Sequence, residues 1–200
     1  MSQLSSNKRS LRRDRRRRRN RTTSLFVALF IIGAVTITGL LIWNSFSSPL
    51  LGEEFPPTGE GNHVPNGNPL PQFSTDPPTS GPHYVDPMPE GFYDEDSQEA
   101  RFLPNPHGFI IHSMEHGYVV FWYNCTLVPE AECGALKTDI RRVMDEYDSY
   151  KIIAFPWTTT TAPVVATSWG YKLEMERWDP VLAAEFIETN RNNAPEPFAR

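Results

Sequence analysis

The sequence lacks the short motifs that identify nucleotide-dependent enzymes, serine hydrolases and thiol redox enzymes. It has no glycine-rich phosphate loop and no dinucleotide-binding fingerprint, and no nucleophile elbow surrounds its serines. Its two cysteines, Cys125 and Cys133, are eight positions apart, which is not the Cys-x-x-Cys spacing of a thioredoxin-like site. Histidine and glutamate therefore remain as the residues most able to carry chemistry.

Positive charge is scarce after the first 24 residues. Residues 1–24 contain ten Lys and Arg and one acidic residue, a net charge of +9. The chain from residue 47 onward contains nine basic and 23 acidic residues, a net charge of −14. The two ends therefore belong in different surroundings, and the acidic part is poorly suited to binding nucleic acid or anionic lipid.

Between these two parts, Leu25–Trp43 is a run of nineteen uncharged residues. As a helix it would be about 28 Å long, enough to cross a hydrocarbon core. It exceeds the roughly 7–15 apolar residues of a cleaved signal peptide, and no clear small-x-small cleavage site follows it. We therefore predict an uncleaved transmembrane helix over residues 25–46.

The basic residues before this run predict its orientation. Lys and Arg beside a span stay in the cytoplasm, so residues 1–24 are predicted to be a cytoplasmic arm that contacts anionic lipid headgroups. The arm has no interleaved aromatic residues, which argues against nucleic-acid binding. The predicted location is the cell membrane, with a single span and the C-terminal part outside the cytoplasm.

Proline divides the rest of the chain, because thirteen of the nineteen prolines fall between residues 49 and 106. Residues 47–72 are polar and rich in Pro and Gly, and they are predicted to be a linker. Residues 73–200 are predicted to be an extracytoplasmic α+β domain. Within it, Asp76–Tyr84 has too many prolines for a helix or a central strand and predicts a rigid loop.

Hydrophobic periodicity predicts a small mixed or antiparallel sheet with two main helices. The helices are predicted from the spacing of apolar residues over 133–147 and from Asp179-Pro180, an N-cap followed by a proline suited to the first helical turn. β-Branched and aromatic residues predict strands. The predicted strand regions are 109–123, 151–155, 163–170 and 171–178.

The cysteine pair has two interpretations. In an oxidising compartment, Cys125 and Cys133 would close a small loop as a structural disulfide, which we favour. Two free buried thiols are the alternative.

Clustered histidines and a glutamate suggest a metal site. If residues 109–123 form strands, alternation places His112, Met114 and His116 on one face and Glu115 on the other. His83, on the proline-framed loop, would supply a third nitrogen, and Glu115 would orient a ring or act as a carboxylate itself. We therefore predict a copper or zinc site, and Met114 as a thioether ligand would favour copper.

The same residues permit other interpretations. On a helix, His112, Glu115 and His116 would match the inverted zinc-protease motif, but the strand-like flanks and Gly117 argue against a helix. An enzyme could use a histidine or Glu115 as general base. A structural or interaction module would keep the histidines only as hydrogen-bonding core residues.

Two histidines are predicted to lie outside such a site. His63 falls in the linker, where we expect it to be solvated, and His107 falls in a Pro-His-Gly turn. The metal site would therefore draw only on the other three histidines.

Four strings of residues resemble a known family. They are Asp76–Tyr84, His112–Val120, Ala166–Gly170 and the dipeptide Pro195-Glu196. Over about residues 70–197 the chain is similar to the bacterial family called domain of unknown function 3105.

This resemblance implies a topology but no mechanism. Members of the family resemble single-pass or secreted extracytoplasmic proteins with a basic N-terminus, and the family carries no settled activity. Leu is usual in the family at the position of Met114. The resemblance therefore favours His83, His112, Glu115 and His116 over Met114 as candidate site residues.

Overall fold

The computed structural model describes residues 29–39 and 49–199, and the chain divides into two units, residues 1–48 and 49–200. Residues 29–39 form helix α1. Within the described ranges, no helix is both long enough and apolar enough to cross a membrane. The predicted arm 1–24, and both ends of the predicted span 25–46, lie outside the described residues.

The second unit is a mixed α+β fold, as predicted from the sequence. Its helices are α2 (Gln98–Phe102), α3 (Pro106–Glu115), α4 (Glu130–Glu146) and α5 (Pro180–Asn190). Its strands are β1 (Glu53–Glu54), β2 (His63–Val64), β3 (His83–Tyr84), β4 (Gly91–Phe92), β5 (Val119–Tyr123), β6 (Ile152–Pro156), β7 (Val164–Ser168) and β8 (Tyr171–Met175). Helices α4 and α5 and strands β6 to β8 lie where the sequence predicted them.

Six strands form one mixed sheet in the order β1-β8-β7-β5-β6-β4. Strand β6 runs parallel to both β5 and β4, whereas β5-β7, β7-β8 and β8-β1 are antiparallel. The remaining strands, β2 and β3, form a separate two-stranded parallel sheet. That small sheet carries two of the histidines.

The six-stranded sheet is covered on both faces, because alternate residues of its central strands enter two different cores. In β5, Phe121 packs with α4 and α5, whereas Trp122 packs with α3. We call these the helix-pair core and the α3 core. The α3 core includes Ile110, Ile111 and Met114, which lie on one side of α3.

The predicted strand over 109–123 is wrong in its first part, where α3 replaces it, and the domain therefore has three main helices instead of two. Asn105, in the left-handed region, precedes Pro106 at the start of α3. At the other end, Gly117 has φ of 88° and donates to the carbonyl of Met114, while the N–H of Tyr118 donates to that of Ser113. This Schellman-type ending and the packing of α3 outweigh the local β propensity.

The predicted linker 47–72 contributes two strands to the second unit. Strand β1 pairs with β8, and His63 of β2 lies opposite His83 of β3. Residues 47 and 48 lie outside the described part of the chain. Composition alone could not reveal this docking, because both pairings join segments that are distant in sequence.

Candidate metal centre

Three short elements bring four of the five histidines together. Parallel strands β2 and β3 contribute His63 and His83, which lie opposite each other. The last turn of α3 contributes His112, and its C-cap contributes His116, four positions later and therefore on the same side. The ring of the fifth histidine, His107, packs against aromatic rings elsewhere.

A close contact between β3 and α3 positions the site. Gly108 leaves room for the ring of Tyr84, since a Cβ atom at this glycine would lie 2.6 Å from a Tyr84 ring carbon. The Tyr84 hydroxyl donates to the carbonyl of Asn68 at 2.9 Å and accepts from the Asn105 side chain at 3.2 Å. The backbone of β3 is therefore held against the helix, where its carbonyl reaches His112.

The imidazoles of His63, His83 and His112 converge. Each offers one nitrogen, and the three nitrogens lie within 4.8 Å of one another. The ring centroids are 4.8 Å apart for His63 and His83, 4.8 Å for His63 and His112, and 5.0 Å for His83 and His112. We call these residues the histidine triad.

Backbone hydrogen bonds determine the tautomer of two triad members. The Nδ1 atom of His83 lies 2.8 Å from the carbonyl oxygen of Gly81, and Nδ1 of His112 lies 2.6 Å from that of Tyr84. A carbonyl only accepts, so both Nδ1 atoms carry hydrogen and donate. In the neutral ring each Nε2 atom then presents a lone pair, which is the orientation found in metal-ligating histidines.

Glu115 places a carboxylate against these nitrogens. Its side chain has no exposed surface, and its Oε2 atom lies 3.0 Å from Nε2 of His83 and 3.7 Å from Nε2 of His63. Its Oε1 atom accepts the backbone N–H of Gly61 at 2.6 Å. A carboxylate oxygen and an unprotonated nitrogen are both acceptors, so the buried pair needs a proton or a metal cation between them.

The environment of His112 favours its neutral form. Burial lowers its pKa below the usual value, and the neighbouring His116, His83 and His63 lower it further, although the hydrogen bond to the Tyr84 carbonyl acts in the opposite direction. Only a neutral imidazole can ligate a metal, so this shift keeps His112 competent as a ligand near neutral pH.

His116 lies beside the triad and is not one of its members. Its Nε2 atom is 3.1 Å from Nε2 of His112 and 3.6 Å from Oε2 of Glu196. The sequence predicted His83, His112, His116 and Glu115 as one set. The structure brings His83, His112 and Glu115 together and places His116 on the side of His112 that faces Glu196.

The prediction that residues 109–116 form a strand is wrong. The prediction that Met114 lies on the same face as His112 and His116 is therefore also wrong. On α3, Met114 lies opposite the histidines, is fully buried in the α3 core and accepts a hydrogen bond from the Thr167 hydroxyl at 3.3 Å. The His-x-x-Glu-His string lies at the end of a helix, which is the conformation that the inverted zinc-protease motif requires. Met114 is therefore excluded as a thioether ligand.

His63 is the site residue that sequence reasoning missed. The polar, proline-rich composition around it is typical of a linker, and the residue was expected to be solvated. Its side chain is 35% exposed, yet its ring contacts two histidines of the domain. The available signal was the dipeptide His63-Val64, whose β-branched residue is typical of strands within an otherwise strand-poor segment.

The two cysteines lie away from the triad and at disulfide distance, as predicted. The bond joins Cys125, at the start of a 3-10 turn, to Cys133 in the first turns of α4, and their Cα atoms are 5.3 Å apart. It fixes the connection from β5 to α4 on the helix-pair side of the sheet.

Comparison with known proteins gives one family and no closer relative. The model of the family described as "Protein of unknown function (DUF3105)" matches residues 63–200. No curated protein and no solved structure matches the chain. The matched region begins at His63, so it contains the whole histidine triad, Glu115, His116 and Glu196.

Proposed function

Because this chain belongs to the DUF3105 family, whose function is unknown, we propose its function from the geometry of the histidine triad. The domain binds one divalent transition-metal ion, zinc or copper, through His63, His83 and His112. Glu115 provides the nearby carboxylate, either as a fourth ligand or as the partner that orients His83.

The observation that carries this proposal is the convergence of three imidazoles, two of which have Nδ1 held by a backbone carbonyl. If these histidines only formed structural hydrogen bonds, their Nε2 atoms would not need to face other histidines. In their neutral forms, the three rings and the buried carboxylate instead place several acceptor atoms around one point. A bound cation satisfies these acceptors together.

The distances fit an ion after a small contraction. Two nitrogens that each lie about 2.0–2.1 Å from one tetrahedral ion are about 3.3 Å apart. The triad nitrogens lie within 4.8 Å. His63 can supply the movement, because it is the most exposed of the three and belongs to a two-residue strand.

The ligand types limit the choice of ion. Imidazole suits zinc and copper, and a carboxylate is also a common zinc ligand. With Met114 directed into the α3 core, the described residues around the triad offer nitrogen and oxygen only. This set favours Zn²⁺ or Cu²⁺ over Cu⁺, which prefers sulfur.

Calorimetric titration of Zn²⁺ and Cu²⁺ into the full-length chain, purified without a polyhistidine tag, tests the proposal. We expect one ion per chain, and we expect His83→Ala to lose binding. His107→Ala is the matched control, because His107 packs against Phe73 and Trp157 and should leave binding unchanged.

Two results would contradict metal binding by the histidine triad. One is the absence of binding in the wild-type chain. The other is equal binding by wild type and His83→Ala. A large loss of thermal stability in His83→Ala, without any metal effect in either protein, would favour the structural module instead.

We further propose that the domain is held outside the cytoplasm by a single membrane span over residues 25–46. The support is the uncharged run Leu25–Trp43 and the change from a net charge of +9 before it to −14 after it. The arm 1–24 then contacts anionic lipid from the cytoplasmic side.

Labelling of intact cells tests this topology. A single cysteine introduced at Ser2 should resist a membrane-impermeant maleimide, whereas one introduced at Glu185 should react, both in a Cys125→Ser/Cys133→Ser background. Release of the chain by carbonate extraction, or the reverse labelling pattern, would contradict the proposed topology.

A further inference from the structure

We propose that Glu196 and His116 form the route by which the metal ion passes between solvent and the histidine triad. The inference rests on the proposed function and assigns a role to two residues that hold no ion in the bound state. The site would then exchange its ion with solvent through a defined path. Such exchange is needed in a protein that receives a metal ion and later releases it.

The path leads outward from His112 of the triad through His116, which is also buried, to a half-exposed carboxylate. The exposed fraction of the side chain is 9% for His116 and 50% for Glu196. Nε2 of His112 lies 3.1 Å from Nε2 of His116, which in turn lies 3.6 Å from Oε2 of Glu196. Each step is short enough for an ion to contact both neighbours at once.

The atoms involved favour ion transfer over proton transfer. A histidine that relays a proton through its ring uses both nitrogens, one to receive and one to give. Here the same atom, Nε2 of His116, faces both Glu196 and His112. Because Nε2 of His112 is an acceptor, Nε2 of His116 donates to it in the ion-free state. Once the His116 ring has changed to its other tautomer, the same Nε2 atom can take an ion from Glu196 and release it to His112.

The spacing of the two inner nitrogens permits a shared intermediate. Two nitrogens bound to one tetrahedral ion are about 3.3 Å apart, and those of His112 and His116 are 3.1 Å apart. An ion can therefore be bound by both rings with little movement, and exchange need not pass through a state without protein ligands.

The path is also built into the fold by contacts of the C-terminal segment. The N–H of Glu196 donates to the carbonyl of Glu115 at 3.0 Å. The buried Lys151 donates from Nζ to the carbonyls of His116 and Pro197, both at 2.7 Å. These bonds hold the segment that carries Glu196 against the end of α3.

His63 also reaches solvent, but its expected signature is different. As a ligand of the bound ion, His63 contributes to the equilibrium affinity. Glu196 and His116 would instead raise the rate constants of metal uptake and metal release by the same factor. The ratio of these rate constants, which is the dissociation constant, would not change. A change in rates at constant affinity therefore identifies a residue of the path, whereas a change in affinity identifies a ligand of the site.

Stopped-flow kinetics of the full-length chain test the path, with Zn²⁺ for uptake and a strong chelator for release. The main variant is Glu196→Gln, which removes the charge from an exposed side chain. Glu185→Gln is the matched control, because Glu185 is exposed on α5. His116→Ala tests the second step, with thermal unfolding as a check on its fold.

We expect Glu196→Gln and His116→Ala to slow uptake and release together, by about tenfold, with the dissociation constant unchanged. Unchanged rates in both variants would overturn the path and leave the triad intact as a binding site. Slower uptake alone would indicate simple electrostatic attraction and would also overturn it. If wild type binds no zinc, the proposed function itself fails.

Discussion

The two faces of the six-stranded sheet are packed in different ways. Helices α4 and α5 cover one face with apolar side chains in regular helical spacing, such as Ile140 and Phe186. Helix α3 covers the other face with Ile110, Ile111 and Met114, and its opposite side carries the histidines and Glu115. In the described chain, α4 and α5 bury no ionisable side chain, whereas α3 buries His112 and Glu115.

This difference shows how the domain can bury charged chemistry in a small fold. Of the two cores in the described part of the chain, the helix-pair core contains the larger set of buried apolar residues. Stability drawn from that core lets the α3 side keep a buried carboxylate and several imidazoles, which would be unfavourable without partners. Substitutions on the two faces should therefore separate stability from metal binding.

The largest expected effect is on the helix-pair face. Phe186→Ala removes a fully buried ring and should lower the free energy of unfolding by about 3–5 kcal/mol. Urea denaturation measures this loss, and metal titration at low temperature should still give one site. Loss of the metal site in a folded Phe186→Ala variant would contradict the separation of the two faces.

The disulfide tests the same face by a different route. Replacing Cys125 and Cys133 by Ser opens a loop with a sequence separation of 8 and should lower the free energy of unfolding by about 2–3 kcal/mol. The zinc affinity should not change, because neither cysteine belongs to the triad. A weakened zinc affinity in the double variant would show that the two faces are coupled.

On the α3 face, Glu115→Gln should act mainly on metal binding. The amide oxygen can still accept the N–H of Gly61, so the local backbone is preserved, whereas the negative charge beside His83 is lost. We expect zinc affinity to fall roughly 10–100-fold. Calorimetry measures the affinity, and an unchanged value would exclude Glu115 both as a ligand and as the group that orients His83.

The smallest expected effects come from two glycines, one on each side. Gly117 has φ of 88°, and a Cβ there would lie 2.7 Å from Cα of Asn192, so Gly117→Ala should lower the free energy of unfolding by about 1–2 kcal/mol.

Gly134 is the matched control, since it is exposed within α4 and no atom lies within 4 Å of a Cβ added there. Gly134→Ala should therefore raise the free energy of unfolding by about 0.5–1 kcal/mol. Thermal unfolding of the two variants should shift in opposite directions. A Gly117→Ala variant that is not destabilised would contradict the account of how α3 ends.

The same contrast explains which features the sequence could predict. Helix α4 and the Asp179-Pro180 start of α5 follow local rules of spacing and capping, and the structure confirms both. Helix α3 could not be predicted in this way, because Phe109, Ile110 and Ile111 have high β propensity. This segment is a helix because of the residues that begin and end it and because of its packing against the sheet.

The candidate site shows a similar division. His112 and Glu115 were predicted as site residues from their types and their closeness in sequence, and His83 from its place on the proline-framed loop. His63 was not, because its place depends on a parallel pairing with His83, twenty positions away, within a segment of linker-like composition. Non-local pairing of this kind leaves little trace in a single sequence.

X-ray absorption of the full-length chain loaded with one equivalent of zinc tests metal binding by the triad most directly. We predict three imidazole nitrogens and at least one oxygen at about 2.0–2.1 Å, with the imidazole signal lost or reduced in His83→Ala. A sulfur ligand at about 2.3 Å, or a shell of oxygen atoms alone, would contradict a site built from His63, His83 and His112.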